Sequence, residues 1–160
     1  MTPLFSIITV TFNAENEIRP TLASVKEQSF GNFEHLIIDG ASKDNTIRIA
    51  EQAAITQMSI VSEPDKGLYD AMNKGIGLAK GDFLIFLNAG DSFADSDSLK
   101  RLAELATDDT DIIYGQTQIV NYAREVIGKR HLTAPSTLTA GSFKRGMLVC
   151  HQAFVARRSI

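Results

Sequence analysis

Asp82-Phe83-Leu84-Ile85-Phe86-Leu87-Asn88-Ala89-Gly90-Asp91 carries an unbroken apolar run straight into small polar residues and a carboxylate. Phe83 to Leu87 has no polar position, which suits a parallel strand covered on both faces better than an antiparallel strand with one wet face. In open α/β sheets ligands bind beyond the carboxyl ends of the strands, where Asn88 to Asp91 would stand. A carboxylate there, among residues too small to shield it, suits a divalent cation that also binds phosphate oxygens. Asn, Gly and Asp are also common turn formers, so this segment alone leaves a plain Asx-type turn before Ser92 to Ser98 an equal alternative.

Upstream, strand-like and helix-like segments alternate, the pattern of a parallel sheet with crossover helices. Phe5 to Thr11 and Phe33 to Asp39 read as strands, Ser59 to Ser62 as a weaker one. Ile18, Leu22 and Val25 share one helical face, with Pro20 tolerable only near the helix start. Asn45 or Thr46 caps a second helix that turns Ile47, Ala50 and Ala54 inward. Leu68, Ala71, Met72, Gly75 and Ala79 form a third apolar stripe. Its Gly75 and Gly77 cost about 1 kcal/mol each relative to Ala, so a packed strand or a ligand is expected nearby. Downstream, Ser96 or Asp97 caps a helix with Leu99, Leu102, Ala103 and Ala106 inward. Asp111 to Val120 and Tyr122 to Gly128 read as two strands turning at Asn121, Arg130 to Arg145 as loop, and Met147 to Ala156 as a last strand.

At 160 residues and 44% hydrophobic content, the chain buries a real core and its length suits one domain. Cys150 is the single cysteine, so no intramolecular disulfide forms; a reducing compartment is the simpler assumption and a core thiol the simpler role. Leu4 to Val10 is too short to span a bilayer and lacks a basic lead, so it reads as a strand and any membrane contact as peripheral. Charge is uneven. Residues 1–125 hold all 19 acidic and 10 of the 16 basic residues, net −9, whereas residues 126–160 carry +6. The acidic body and the lack of stacking aromatics among the basic residues argue against nucleic acid.

Strand one ends in Thr9-Val10-Thr11-Phe12-Asn13-Ala14-Glu15 and strand two in Asp39-Gly40-Ala41-Ser42-Lys43-Asp44-Asn45-Thr46. If the strands are parallel, both present short polar groups on the same edge as Asp91. Lys66 and Lys74, in Asp65-Lys66-Gly67 and Asn73-Lys74-Gly75, fall near a helix N-terminus that favours anions, although most lysines are simply solvated. No Gly-x-Gly-x-x-Gly follows strand one, which disfavours a nicotinamide-dependent oxidoreductase.

Taken together, Ser6 to Asn13, Ile37 to Thr46, Asp65 to Gly75 and Gly81-Asp82 with Leu87 to Asp91 resemble family 2 glycosyltransferases, inverting sugar transferases of the GT-A fold. The likeness is strongest to the branch that builds bacterial surface polysaccharides such as capsule, colanic acid or O-antigen. It implies a three-layer, Rossmann-like α/β fold with a mostly parallel sheet. Residues 1–92 would form the donor-binding half, and residues 93–160 the incomplete start of an acceptor-side half within one domain. It implies transfer of a hexosyl or N-acetylhexosaminyl group, with inversion, from a nucleotide-diphospho-sugar, UDP-linked by expectation, to a glycan or lipid-linked glycan. The setting would be the cytoplasm, with the inner face of the plasma membrane as the place of any peripheral contact.

By the same resemblance Thr9, Thr11, Phe12, Asn13 and Glu15 line the nucleobase and ribose pocket, and Asp39 bonds the base. Asp65, Lys66, Asn73 and Lys74 count among the donor-binding residues, while Asn88, Ala89, Gly90 and Asp91 stand at the DxD-type motif, with Asp91 on Mn2+ or Mg2+. Three positions depart from the common pattern: Gly40 stands where many relatives carry a second Asp, Asn88 and Gly90 where they carry Asp, and Met72 where they carry Arg.

An inverting transferase needs a general base, usually a carboxylate well beyond the metal motif in this family. No carboxylate follows Glu125, so the base is expected beyond Ile160 and the sequence reads as a truncated donor-binding core. The alternative is a nucleotide-sugar binding module without turnover. His151, in Cys150-His151-Gln152, matches a His-Gln element of the same branch that lies near donor or acceptor, although a lone histidine is more often structural. Lys129, Arg130, Lys144, Arg145, Arg157 and Arg158 would meet a diphosphate or an anionic membrane surface, or form a solvated face.

Overall fold

The computed structural model describes residues 2–160. Its centre is a six-stranded sheet in the order β3-β2-β1-β4-β8-β5, formed by β1 (Phe5–Thr11), β2 (Phe33–Asp39), β3 (Met58–Ser62), β4 (Phe83–Phe86), β5 (Ile112–Tyr114) and β8 (Phe154–Arg157). β1 pairs in parallel with β2 and with β4, β2 in parallel with β3, and β8 runs antiparallel to both β4 and β5. The four parallel strands therefore end on one rim, with β4 in contact with both directions of chain.

Two helical layers cover the sheet because side chains of successive strand residues point to opposite faces. Phe5 and Ile7 of β1 and Phe83 and Ile85 of β4 join Ile18, Leu22 and Val25 of α1 (Ile18–Lys26), Ile49 and Ala50 of α2 (Thr46–Gln52) and Leu99 of α4 (Ser98–Leu105). On the other face Ile8, Val10, Leu36, Ile38 and Leu84 meet Ala71 and Ala79 along α3 (Leu68–Leu78). A Cβ at Gly75 would lie 2.5 Å from Ile8 Cγ2, so this glycine is what lets α3 lie against β1. Gly77 has nothing within 4 Å of its virtual Cβ and is explained by neither strand nor core.

Five expectations are corrected. The inner face of α2 is Thr46, Ile49 and Ala50 rather than Ile47, Ala50 and Ala54. Thr46 is held inward because its hydroxyl accepts the Ala14 N–H (2.8 Å) and bonds Asp44, while Ala54 lies past the helix at φ 50°. Leu68 is 47% exposed, at the first turn of α3. The last strand is only Phe154–Arg157, since His151–Ala153 form a 3-10 turn. With no partner past Gly115, whose N–H reaches the Ala153 carbonyl, the run from Asp111 to Val120 splits. Its second part, β6 (Gln118–Val120), makes a separate antiparallel hairpin with β7 (Val126–Lys129), turned by Asn121 accepting the Ala123 and Glu125 N–H groups. Finally, Cys150 is half-buried beside Gln152 rather than a core thiol.

Candidate functional site

Past β4 the chain makes a tight turn in which the Asp91 N–H bonds the Asn88 carbonyl (2.9 Å) and Gly90 takes φ 98°. Thr21, on the buried face of α1, pins this turn. Its hydroxyl donates to the Asp91 carbonyl (2.7 Å) and accepts the Gly90 N–H (3.0 Å). The main chain of Asn88-Ala89-Gly90-Asp91 is thus fixed from below, leaving the Asp91 side chain to other partners.

The Asp91 carboxylate is half-buried, and Oδ2 accepts a 2.9 Å bond from Gln152 Nε2. Burial pushes its pKa above the ordinary carboxylate value, against the opposing pull of the Gln152 bond and of His151. His151 Nε2 lies 3.3 Å from Asn88 Nδ2, and Asn88 Oδ1 is buried without a partner. The 3-10 turn ahead of β8 therefore brings both His151 and Gln152 to the end of β4. Gln152 was missed in the sequence, where only its place beside His151 hinted at it; Thr21 gave no signal beyond being a small polar residue on an apolar helix face.

The loops after β1 and β2 are stitched together. The Asn13 N–H donates to Ser42 Oγ and its Oδ1 accepts the Lys43 N–H, both at 2.8 Å, with Asn13 at φ 49°. Glu15 accepts both the backbone N–H and the side-chain amide of Asn45. Two residues that the resemblance places on the pocket wall sit behind it. Thr9 is fully buried, donating to the Leu87 carbonyl (2.7 Å) and pairing with His35 Nε2 (2.9 Å). Asp39 is 1% exposed, and its carboxylate accepts the Ser42 N–H, the Ser42 hydroxyl and the Ser62 hydroxyl. Thr11 is also buried, with a hydroxyl lacking a partner.

Between the end of β1 and the start of α3 lies a cleft of about 220 Å³ lined by Val10, Thr11, Phe12, Asp65, Gly67 and Leu68. A larger depression between α1 and α2, lined by Arg19, Leu22, Lys26 and Ile49 among others, holds no candidate residue. At the α3 N-terminus the Gly67 N–H is taken by Asp65 Oδ1 and the Lys66 N–H by Asp70. Lys66 and Asn73 are exposed, whereas Lys74 is held by the Pro64 carbonyl, Glu63 and Asp70. The Glu63 hydrogen bond heads the causes that raise its pKa.

Residues 6–160 match the family described as Glycosyl transferase family 2. The chain belongs to that family. It is 36% identical over 163 residues to a PGL/p-HBAD biosynthesis glycosyltransferase of Mycobacterium bovis, covering 99% of its own length and 60% of that relative. It is 32% identical over 126 residues to the putative glycosyltransferase EpsH of Bacillus subtilis, covering 78% and 35%. S. aureus TarS 1–349, solved with UDP-GlcNAc, matches at TM-score 0.77 and 23% identity, over 97% of this chain and 45% of that one. The mannosyltransferase PcManGT of Pyrobaculum calidifontis, solved with GDP-Man and Mn2+, matches at TM-score 0.64 and 23% identity, over 72% and 36%. The fold is GT-A, and the chain spans about 60% of the length of the mycobacterial relatives.

In this chain the basic residues after position 125 divide. Arg157 bonds the Thr107, Asp108 and Thr110 carbonyls and lies 4.7 Å over the Phe83 ring, and Arg158 bonds the Gly81 carbonyl. Both sit at the amino end of β4, the edge opposite Asp91, which removes them from any diphosphate at the rim. Arg130 bonds the Leu148 and Met147 carbonyls, Lys129 and Lys144 are exposed, and the Arg145 side chain lies outside the described residues. No group of three or more His, Cys, Asp or Glu side chains placed to hold a metal occurs among the described residues. The donors at the end of β4 are one carboxylate, one partnerless carbonyl oxygen and one imidazole. That set fits a small divalent cation that takes its other ligands from a diphosphate and water.

Proposed function

We propose that this chain carries the donor-binding part of a metal-dependent, inverting glycosyltransferase that takes its sugar from a nucleoside diphosphate, UDP by preference. The observation that carries the reading is the half-buried Asp91 carboxylate, fixed by Gln152 at the carboxyl end of β4 beside the partnerless Asn88 Oδ1. Related folds solved with UDP-GlcNAc and with GDP-Man and Mn2+ support it. Asp91, with Asn88 and His151, would hold Mn2+ or Mg2+, which neutralises charge on a leaving diphosphate. Phe12 and Asn13 face the nucleoside, Ala89 and Gly90 let the donor approach the β4 turn closely, and Lys66 faces the diphosphate.

The acceptor is a glycan or lipid-linked glycan of a surface polysaccharide, met in the cytoplasm at the membrane face. No helix among the described residues is long and apolar enough to cross a membrane. We assign the general base to none of the carboxylates between Asp95 and Glu125. Among the later carboxylates, Asp95 is held by Arg101, Asp97 by Ser29 and Glu125 by Asn121, and Asp111 lies beside Arg157 at the far edge. Those commitments favour a second reading of residues 1–160 as a module that binds donor without turning it over. Calorimetry with UDP and Mn2+, paired with an assay for sugar release and transfer, tests both. The donor reading expects Mn2+-dependent UDP binding; transfer by residues 1–160 would contradict the binding-only reading and show that one of these carboxylates serves as the base.

A further inference from the structure

The hairpin β6–β7 is apolar on both faces and covered on neither. Side chains alternate along a strand, so the Val120–Val126 and Gln118–Lys129 pairs share one face, and Ile119, opposite Gly128, stands on the other. The two faces are similarly open, with Val126 56% exposed on the first and Ile119 49% on the second. Ile127, which the register skips, and Tyr122, in the turn and 89% exposed, extend the apolar surface. A lone two-stranded hairpin is marginal in water, and exposed apolar side chains gathered in one element mark a contact surface. The hairpin is held in place at both ends. Arg124, beside Glu27, bonds the Phe93 carbonyl at the tip. At the base Arg130 bonds the Met147 and Leu148 carbonyls, neutral groups that leave its charge uncancelled and set the exposed Met147 alongside. Lys129 lies on the Val120–Val126 face and is exposed, as is Lys144, and no carboxylate follows Glu125.

We infer that this hairpin is the surface by which the chain lies on an anionic lipid bilayer, with Ile119, Val126, Ile127 and Tyr122 at headgroup depth and Lys129 and Arg130 against lipid phosphates. A packed protein partner covers one face of a hairpin, whereas the interfacial zone of a bilayer surrounds both, which matches their similar exposure. A tyrosine, apolar in its ring and polar at its hydroxyl, suits that zone. The unpaired strand edges carry N–H and C=O groups that need water or headgroups, which keeps the hairpin at the interface and out of the hydrocarbon. Charge sets the orientation, since an anionic surface attracts residues 126–160, at +6, and repels residues 1–125, at −9. The contact gives a place to the membrane face of the proposed function and uses none of the residues assigned to the donor.

The test is co-sedimentation of the whole chain, without UDP or Mn2+, with vesicles of phosphatidylcholine alone and of phosphatidylcholine mixed with phosphatidylglycerol. Binding to the mixed vesicles is expected to be tighter by about tenfold or more and to weaken with added salt. Ile127→Ser and Tyr122→Ser should each lower it about tenfold through lost apolar burial, and Lys129→Glu by a similar factor through charge, all at little-changed melting temperature. Undiminished binding in these variants, or equal binding to both kinds of vesicle, overturns the inference. So does a dimer in sedimentation velocity that Ile127→Ser dissolves, which would give the surface to a second copy. A fall of many degrees in the melting of Ile127→Ser would show the hairpin packed within the chain itself, and overturns it too. Binding to the mixed vesicles by a chain that fails to bind UDP supports this inference while overturning the donor-binding reading.

Discussion

Residues 5–91 and residues 112–157 contribute to one sheet, yet different forces hold them. In the first region every residue of β1 is buried and β2 and β4 nearly match it, so apolar packing on both faces fixes register and rim together. Among the described residues of the second region only Ile113, Val149 and Val155 reach the core. The hairpin β6–β7 is almost wholly exposed, and the chain is fastened largely by arginines bonding main-chain carbonyls, Arg157 and Arg158 to the sheet and Arg130 to the segment before β8. The site joins the two. The well-packed region supplies Asp91, and the lightly packed one supplies Gln152, which bonds it, and His151 beside Asn88.

That contrast breaks first at Phe5 and Ile127. Phe5→Ala, at a fully buried position in the central strand, should cost about 3–5 kcal/mol, whereas Ile127→Ser in the hairpin, 65% exposed, should stay within about 0.5 kcal/mol. Urea unfolding measures both, and comparable losses would show the hairpin to be as integral as β1.

His35 sharpens it next. The single hydroxyl hydrogen of Thr9 goes to the Leu87 carbonyl, so His35 must donate through Nε2, which leaves its buried Nδ1 bare. Desolvation by burial lowers its pKa from 6.5 to about 3. The unfolded chain then takes up a proton that the folded one refuses. The stabilisation is whole above pH 6.5 and is lost as pH falls toward 3, by at most about 1.4 kcal/mol per pH unit. Stability curves from pH 7 to 4 should show this slope, and a His35→Gln variant should lack its share of it.

Within α3 the two glycines separate close packing from open surface. Gly75→Ala meets Ile8 and should cost about 1–3 kcal/mol. Gly77→Ala meets nothing and should gain about 0.5–1 kcal/mol. Thermal melting that moved both in the same direction would contradict the close approach of α3 to β1.

Legibility in the sequence followed the same divide. The bounds of β1 and β2 were readable to the residue because the largely β-branched run of β1 stops before Phe12-Asn13 and Leu36-Ile37-Ile38 stops at Asp39, and the stretch after Phe83 marked the rim because burial on both faces leaves no polar position. Past Asp91 the forces are main-chain hydrogen bonds, which leave little periodic trace, so the run from Asp111 to Val120 read as one strand and Met147 to Ala156 as another. At the site Asp91 was legible as a lone carboxylate after a buried strand. Gln152 was not, because only the antiparallel return of β8 brings it there. The surroundings of Asp39 and Thr9 were not legible for a related reason: a motif names residue types at an edge but does not say that Ser42, Ser62, His35 and Leu87 hydrogen-bond to them.

Asp91→Ala tests the central claim most directly. Thr21 holds the main chain of the β4 turn, so the turn does not depend on the Asp91 side chain, which bonds Gln152. Calorimetric titration of UDP with and without Mn2+ should give Mn2+-dependent binding in the wild-type chain and none in the variant, at unchanged melting temperature. Equal Mn2+-dependent binding in both would contradict the claim that this carboxylate anchors the cation on which donor recognition depends.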